Sequence, residues 1–262
     1  MTDRRQFVIT GASSAIGRVL AEHLDTATDA GMVLVSRGLN ASQFKRDHLV
    51  LTGIDLTNEQ HLEVLRQRVG QRLEGPFTVF HCVGDFWIHK PLVRTAFEEV
   101  ARMINSHYLT FCGAAWSLLP LMVARNGGRL VGFSCNSVAY NYPDMAPFTS
   151  AKAALECFVR CVANEYSQYN VIANAISLPT IRTDQVMELK PNGDHDHYIT
   201  PEELAIFLSD ITASAPTMLN GNVLKIFRHS KTFFHQSYFD RNPRELEIDW
   251  KVAGTDERPK PA

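Results

Sequence analysis

Short apolar runs alternate with stretches of helical period from Gln6 to Phe227. The runs Phe7–Thr10, Met32–Val35, Leu49–Ile54, Phe77–Cys82, Arg129–Phe133, Val171–Ala175 and Val223–Phe227 predict strands. Between them, apolar positions recur at helical spacing over Ala15–Asp25, Asn58–Leu73, Ala96–Val123, Pro147–Tyr166 and Pro201–Ser209, with Thr200 placed to cap the last and Pro201 in its first turn. Regular alternation of strand and helix predicts βαβ units, hence an α/β fold around a parallel sheet. Two segments break the alternation: a polar loop from Asp184 to Ile199, and a tail from Lys231 to Ala262 that mixes Phe233, Phe234, Tyr238, Phe239 and Trp250 with charge. The chain therefore reads as one domain over residues 1–230, followed by an extension over 231–262 whose first part can pack and whose end is mobile.

Composition narrows this picture. With 262 residues, 45% apolar and 21% charged, the chain can bury one sizeable core without needing a second domain. A net charge of -2 and a pI near 6.5 provide no broad positive field, so neither nucleic acid nor an anionic membrane is an expected partner. The five cysteines, Cys82, Cys112, Cys135, Cys157 and Cys161, contain no C-x-x-C pair and read as reduced, mostly buried thiols. That suits a reducing cytoplasm. The start, Met1 to Gln6, lacks the layout of a signal peptide, and no apolar run is seen to reach the roughly 20 residues needed to span a bilayer.

Candidate chemistry begins directly after the first strand. Thr10-Gly11-Ala12-Ser13-Ser14-Ala15-Ile16-Gly17 opens into a helix, the arrangement in which backbone N–H groups and a helix N-terminus receive a pyrophosphate. The second strand ends in Ser36-Arg37, where a site selective for NAD would carry a carboxylate for the ribose 2′-hydroxyl. A guanidinium there suits a 2′-phosphate, which favours NADP(H); the alternative is a solvated surface arginine. Asp55, before Leu56 at the end of the third strand, is placed either to accept from an adenine amino group or to cap the helix near Asn58.

Thr10 to Gly17, Ser36-Arg37, Asp55-Leu56, Asn105, Lys152 and Asn174 to Thr183 together resemble the short-chain dehydrogenase/reductase family in order and spacing, over Gln6 to Phe227. The resemblance implies a single Rossmann-type doubly wound domain with a seven-stranded parallel sheet in the order 3-2-1-4-5-6-7, assembled as dimers or tetramers through the long helices. It implies that Leu178, Ile181 and Thr183 lie over the nicotinamide, although the family's Pro-Gly is here Leu178-Pro179. It also implies a catalytic set of tyrosine, lysine, serine and asparagine. Asn105 matches the asparagine and Lys152 the lysine, but the tyrosine position holds Phe148 and the serine position falls on Cys135, with Ser134 adjacent and Ser137 within reach of a small loop change. The family's Asn-Asn-Ala-Gly is here His81-Cys82-Val83-Gly84.

The departures gather at the reaction centre, whereas the groups that would touch the dinucleotide are kept. Phenylalanine has no proton to give, so the usual acid–base contribution is missing from that position. Substitutes within the chain are Tyr140 or Tyr142, Cys135, and His195 or His197 from the polar loop; the histidine pair lacks a third ligand, so no metal is expected. The expected function is an NADP(H)-dependent enzyme with altered acid–base machinery acting on a small or medium organic substrate. It would reduce a double bond or carry out a non-redox isomerisation or cyclisation. The alternatives are a catalytically inactive NADP(H)-binding sensor or partner subunit, and a structural subunit with an empty cleft.

Overall fold

Each apolar run forms a strand: β1 (Gln6–Thr10), β2 (Gly31–Ser36), β3 (Leu49–Thr52), β4 (Thr78–His81), β5 (Gly128–Cys135), β6 (Val171–Leu178) and β7 (Val223–Lys225). In the computed structural model, which describes residues 5–39, 44–192, 195, 198–214 and 219–227, they form one seven-stranded sheet in the order β3-β2-β1-β4-β5-β6-β7. All pairings are parallel, as the alternation predicts. Strand order reverses between β1 and β4, so their carboxyl ends open a crevice there. The tail beyond Phe227 lies outside the described residues.

Helices cover both faces. They are α1 (Ala15–Ala27), α2 (Glu59–Arg72), α3 (Phe97–Ile104), α4 (Thr110–Ala124), α5 (Ser137–Tyr140), α6 (Ala146–Glu165), α7 (Asp184–Leu189) and α8 (Pro201–Ser214). Side chains alternate across a strand, so Val8, Val33, Val79 and Leu130 pack towards α2, α4 and α6. Phe7, Ile9, Leu34 and Phe80 pack on the other face towards α1 and α8. Two apolar layers therefore hold the sheet between them.

Several boundaries differ from the sequence reading. β5 and β6 run on to Cys135 and Leu178 because two polar residues, Ser134 and Ser177, pair in register and bury their hydroxyls against Glu156 and Asn136. β3 stops at Thr52 because Gly53 turns the chain at φ 71°. Asp184–Leu189, expected as loop, is helical: Thr183 caps it and Val186 is buried beneath it. The helix expected over Ala96–Val123 is α3 and α4 joined by a π turn at Asn105–Leu109. That run, Phe97–Ala124, is long and apolar enough to cross a membrane, contrary to the expected absence of such a stretch. Here Phe111, Ala114, Ala115, Leu118 and Met122 on it are fully buried in the domain core.

Candidate functional site: the crevice at the carboxyl ends of β1, β4, β5 and β6

The turn after β1 is built to bring backbone close to backbone. Gly11 has φ 72°, and a Cβ there would lie 2.6 Å from the Cys82 carbonyl oxygen. A Cβ on Gly17 would lie 2.2 Å from the Gly11 carbonyl oxygen, so α1 starts directly against the turn. Ser14 caps α1, its hydroxyl accepting from Gly17 N–H at 3.0 Å. The N–H groups of Ala15 and Ile16 have no backbone partner among the described residues, and the first turn of α1 carries no acid. That end of the helix can receive an anion. Ser13 is exposed beside it and Ile16 half-buried.

Two further turns face the same side. Ser36 is buried, its hydroxyl accepting from Gly38 N–H at 3.1 Å, while Arg37 projects into solvent and makes no ion pair among the described residues. Asp55 accepts from the Thr57 hydroxyl (2.7 Å) and N–H (2.8 Å), and these bonds hold its carboxyl below the usual range. Helix α2 is capped by Asn58, so of the two roles open to Asp55 from sequence, the helix cap is not the one it takes. Leu56 is buried, and its carbonyl rests against Gly113, where a Cβ would have 1.9 Å of room.

Between these turns lies a chain of buried polar groups. Thr10 Oγ1 meets His81 Nδ1 at 2.8 Å, and His81 Nε2 meets Thr110 Oγ1 at 3.1 Å. The Thr110 hydroxyl donates to the Ser106 carbonyl, so it must accept from Nε2–H, and Nδ1 accepts from Thr10. Burial, helped by the Lys152 charge, lowers the His81 pKa to about 3, which keeps this imidazole neutral. After His81 come Cys82, whose buried thiol is pushed well above its ordinary pKa, then half-buried Val83 and exposed Gly84.

On the π turn the residue facing this crevice is His107. Asn105, expected here, is exposed. Met103, His107 and Phe111 recur every four residues and are all buried, so a residue midway between two of them points to the other side of the helix. His107 Nε2 donates to the Asp85 carbonyl at 2.9 Å. Its ring lies so close to Gly84 that a Cβ there would be 2.5 Å from Cε1. The opposite nitrogen, Nδ1, is buried with no hydrogen-bond partner among the described residues. Burial, then the nearby Lys152 charge, lowers the His107 pKa to about 2. No sequence motif marked His107; the available signal was a histidine on an otherwise apolar helical face.

His107 packs edge-on against Phe148 at 5.0 Å between ring centres. One turn further along α6, Lys152 is 6% exposed, donates to the Phe133 carbonyl at 2.7 Å, and holds Nζ 5.6 Å from the centre of the Phe148 ring. Burial lowers its pKa to about 8. Cys135 is half-buried, accepts weakly from Ser137 N–H at 3.5 Å, and acts electrostatically on both Lys152 and Tyr142. Ser134, named as a candidate beside Cys135, instead donates to Glu156 at 2.5 Å and is buried away from the crevice.

Apolar groups close the remaining sides. Trp87, Met103 and Met145 form a buried cluster on which Tyr142 and Phe148 pack. The Asp144 carbonyl accepts from both Trp87 Nε1–H and Lys90 N–H, tying the segment after β4 to the one before α6. Burial pushes the Tyr142 hydroxyl well above its ordinary pKa, with Cys135 and Tyr140 adding to the effect. Leu178 ends β6 with its carbonyl accepting from Asn136 N–H, Ile181 bridges to Ile199, and the Thr183 hydroxyl caps α7. His195 donates to the Lys190 carbonyl at 2.7 Å, and His197 lies outside the described residues. No group of three metal-binding side chains occurs among the described residues.

A family profile described as short chain dehydrogenase matches residues 5–194. Among curated proteins, the fatty acyl-CoA reductase of Acinetobacter baylyi is 26% identical over 204 residues, spanning 70% of this chain and 64% of that protein. The 1-cyclohexenylcarbonyl-CoA reductase of Streptomyces collinus is 29% identical over 194 residues, spanning 70% of this chain and 68% of that one. Among solved structures, the L-sorbose reductase of Gluconobacter frateurii, complexed with NADPH and L-sorbose, superposes with a TM-score of 0.75 at 21% identity, covering 88% of this chain and 98% of that one. At that identity the superposition speaks for the fold alone.

Proposed function

The chain belongs to the short chain dehydrogenase family, and we propose that it is an NADP(H)-dependent reductase of a small or medium organic substrate in which Phe148 stands where the family has its catalytic tyrosine. The observation that carries this reading is the pairing of Phe148 with Lys152 on one face of α6, the ammonium lying over a ring that has no hydroxyl. Around it the crevice keeps what a dinucleotide needs. The open end of α1 behind Thr10, Gly11 and Gly17 would take the pyrophosphate, Ser36 and Arg37 a 2′-phosphate, and Asp55 and Leu56 the adenine. Cys82, Val83, Gly84 and Lys152 would line the nicotinamide ribose, with Leu178, Ile181 and Thr183 over the ring. Bound there, the cofactor supplies a hydride.

The substrate half would be apolar, with Tyr142 and Phe148 as its wall, backed by the buried cluster of Trp87, Met103 and Met145. A hydrocarbon body with one polar, reducible end fits such a wall, which favours a C=C, C=N or C=O bond in a largely apolar molecule. The same reading carries assembly into a dimer or tetramer through the long helices, whose outer faces leave Leu109 and Trp116 exposed; light scattering reads this directly. The functional test is Phe148→Tyr, assayed with NADPH against a panel of aldehydes, ketones and cyclic enones. If Phe148 occupies the tyrosine position, the restored hydroxyl beside Lys152 raises carbonyl reduction by roughly tenfold or more. An unchanged rate in a folded, NADPH-binding variant overturns that assignment.

A further inference from the structure

We propose that Lys152 is itself the proton donor of this cleft, its ammonium protonating the polar end of the substrate as the double bond is reduced. The proposal rests on the reading of the chain as an NADP(H)-dependent reductase. It follows from the chemistry of the groups near Lys152.

On α6, Phe148 has no labile proton and Glu156 is the acceptor for Ser134. From the π turn, His107 gives its only N–H to the Asp85 carbonyl and presents a lone pair at Nδ1. From β4, His81 commits Nε2–H to Thr110. Beyond Cys135, Tyr142 is a phenol that burial makes a weaker acid than usual. Lys152 differs from all of these. One of its N–H groups holds the Phe133 carbonyl, and the other two have no partner among the described residues. Its pKa of about 8 leaves it charged at neutral pH yet ready to release a proton, the condition under which general acid catalysis is efficient.

The step balances as follows. A hydride from the reduced nicotinamide dinucleotide forms a C–H bond at the substrate carbon while one N–H bond of Lys152 breaks. The proton joins the substrate oxygen or nitrogen, or the carbanion carbon of a conjugated alkene, and a neutral amine remains. Water reprotonates the amine. The substrate is reduced and the dinucleotide oxidised by two electrons.

The first test needs no substrate. In the NADP⁺ complex of full-length protein labelled with [ε-13C]lysine, the resonance that disappears in Lys152→Arg should titrate near pH 8; a midpoint above about 10, the ordinary lysine value, overturns the proposal. The second uses NADPH with cyclic enones, aryl aldehydes and cyclic imines as probes. The wild-type rate should fall about tenfold per pH unit above that midpoint, and Lys152→Arg should lose about 100-fold or more in kcat while NADPH affinity, read by fluorescence, changes by less than about threefold. Arginine keeps the charge and donors that hold a ribose but does not release its proton, so a loss of affinity matching the loss of kcat makes Lys152 only a cofactor ligand. A rate limb that vanishes in Cys135→Ala makes the thiol the donor. Either result overturns the proposal, as does NADPH binding with no reduction of any probe. Failure to bind NADPH overturns instead the reading on which it rests.

Discussion

Two buried neutral imidazoles make the domain sensitive to mild acid by a calculable amount. Unfolded histidine titrates near 6.5, whereas His81 and His107 are held at about 3 and about 2 in the fold. Their folded pKa values are depressed, so the unfolded chain binds more protons below 6.5. The stability contributed by neutrality is fully present above pH 6.5 and is lost as pH falls towards 3. At pH 5 each unfolded imidazole gains RT ln(1 + 10^1.5), about 2 kcal/mol, so together they remove about 4 kcal/mol between pH 7 and 5. That is a large share of the roughly 5–15 kcal/mol that holds a typical domain. Urea unfolding at pH 7, 6 and 5 measures it. In His107→Phe, which keeps a ring against Gly84 and Phe148 but removes one titration, the acid-induced loss should halve to about 2 kcal/mol. A wild-type loss below about 1 kcal/mol would mean that the imidazoles are charged in the fold, and would refute the Thr10–His81–Thr110 arrangement as drawn.

Three other outcomes follow from the geometry. Gly17→Ala places a methyl against the Gly11 carbonyl, so it should destabilise by about 1–3 kcal/mol and weaken NADPH binding at least tenfold, read by urea unfolding and fluorescence titration. Arg37→Asp should weaken NADPH far more than NADH; equal affinities before and after remove the 2′-phosphate assignment. Asp25 sits 3% exposed, accepting from Lys45 N–H and meeting His48 Nε2 at 2.9 Å. Burial opposes its ionisation, but these partners and Arg46 hold its pKa below the usual value. Asp25→Asn should therefore cost about 1–3 kcal/mol by urea unfolding, with the segment after β2 exchanging its amide hydrogens faster.

The sheet was legible because apolar runs and helical periods are local properties of the chain, and the glycine turn because its spacing and flanks are local too. What escaped was set by contacts distant in sequence. Ser134 and Ser177 fell beyond the expected strand ends at Phe133 and Ala175, yet they lie inside strands because Glu156 and Asn136 receive their hydroxyls across the fold. Asn105 read as the inward asparagine because the resemblance runs along the sequence, but the face shared by Met103 and Phe111 brings His107 to Phe148 instead. Trp87 and Met145 carried no motif at all. They pack together with Met103 behind Tyr142 and Phe148 because the Asp144 carbonyl ties two separate segments together, which no periodicity encodes.

The account stands on the proposal that this crevice takes a phosphorylated dinucleotide beside Lys152 and Phe148. Fluorescence titration of the purified full chain with NADPH and NADH tests this most directly. NADPH should saturate the protein at micromolar concentration, with NADH much weaker. An absence of NADPH binding up to millimolar concentration, in protein shown to be folded, would contradict it.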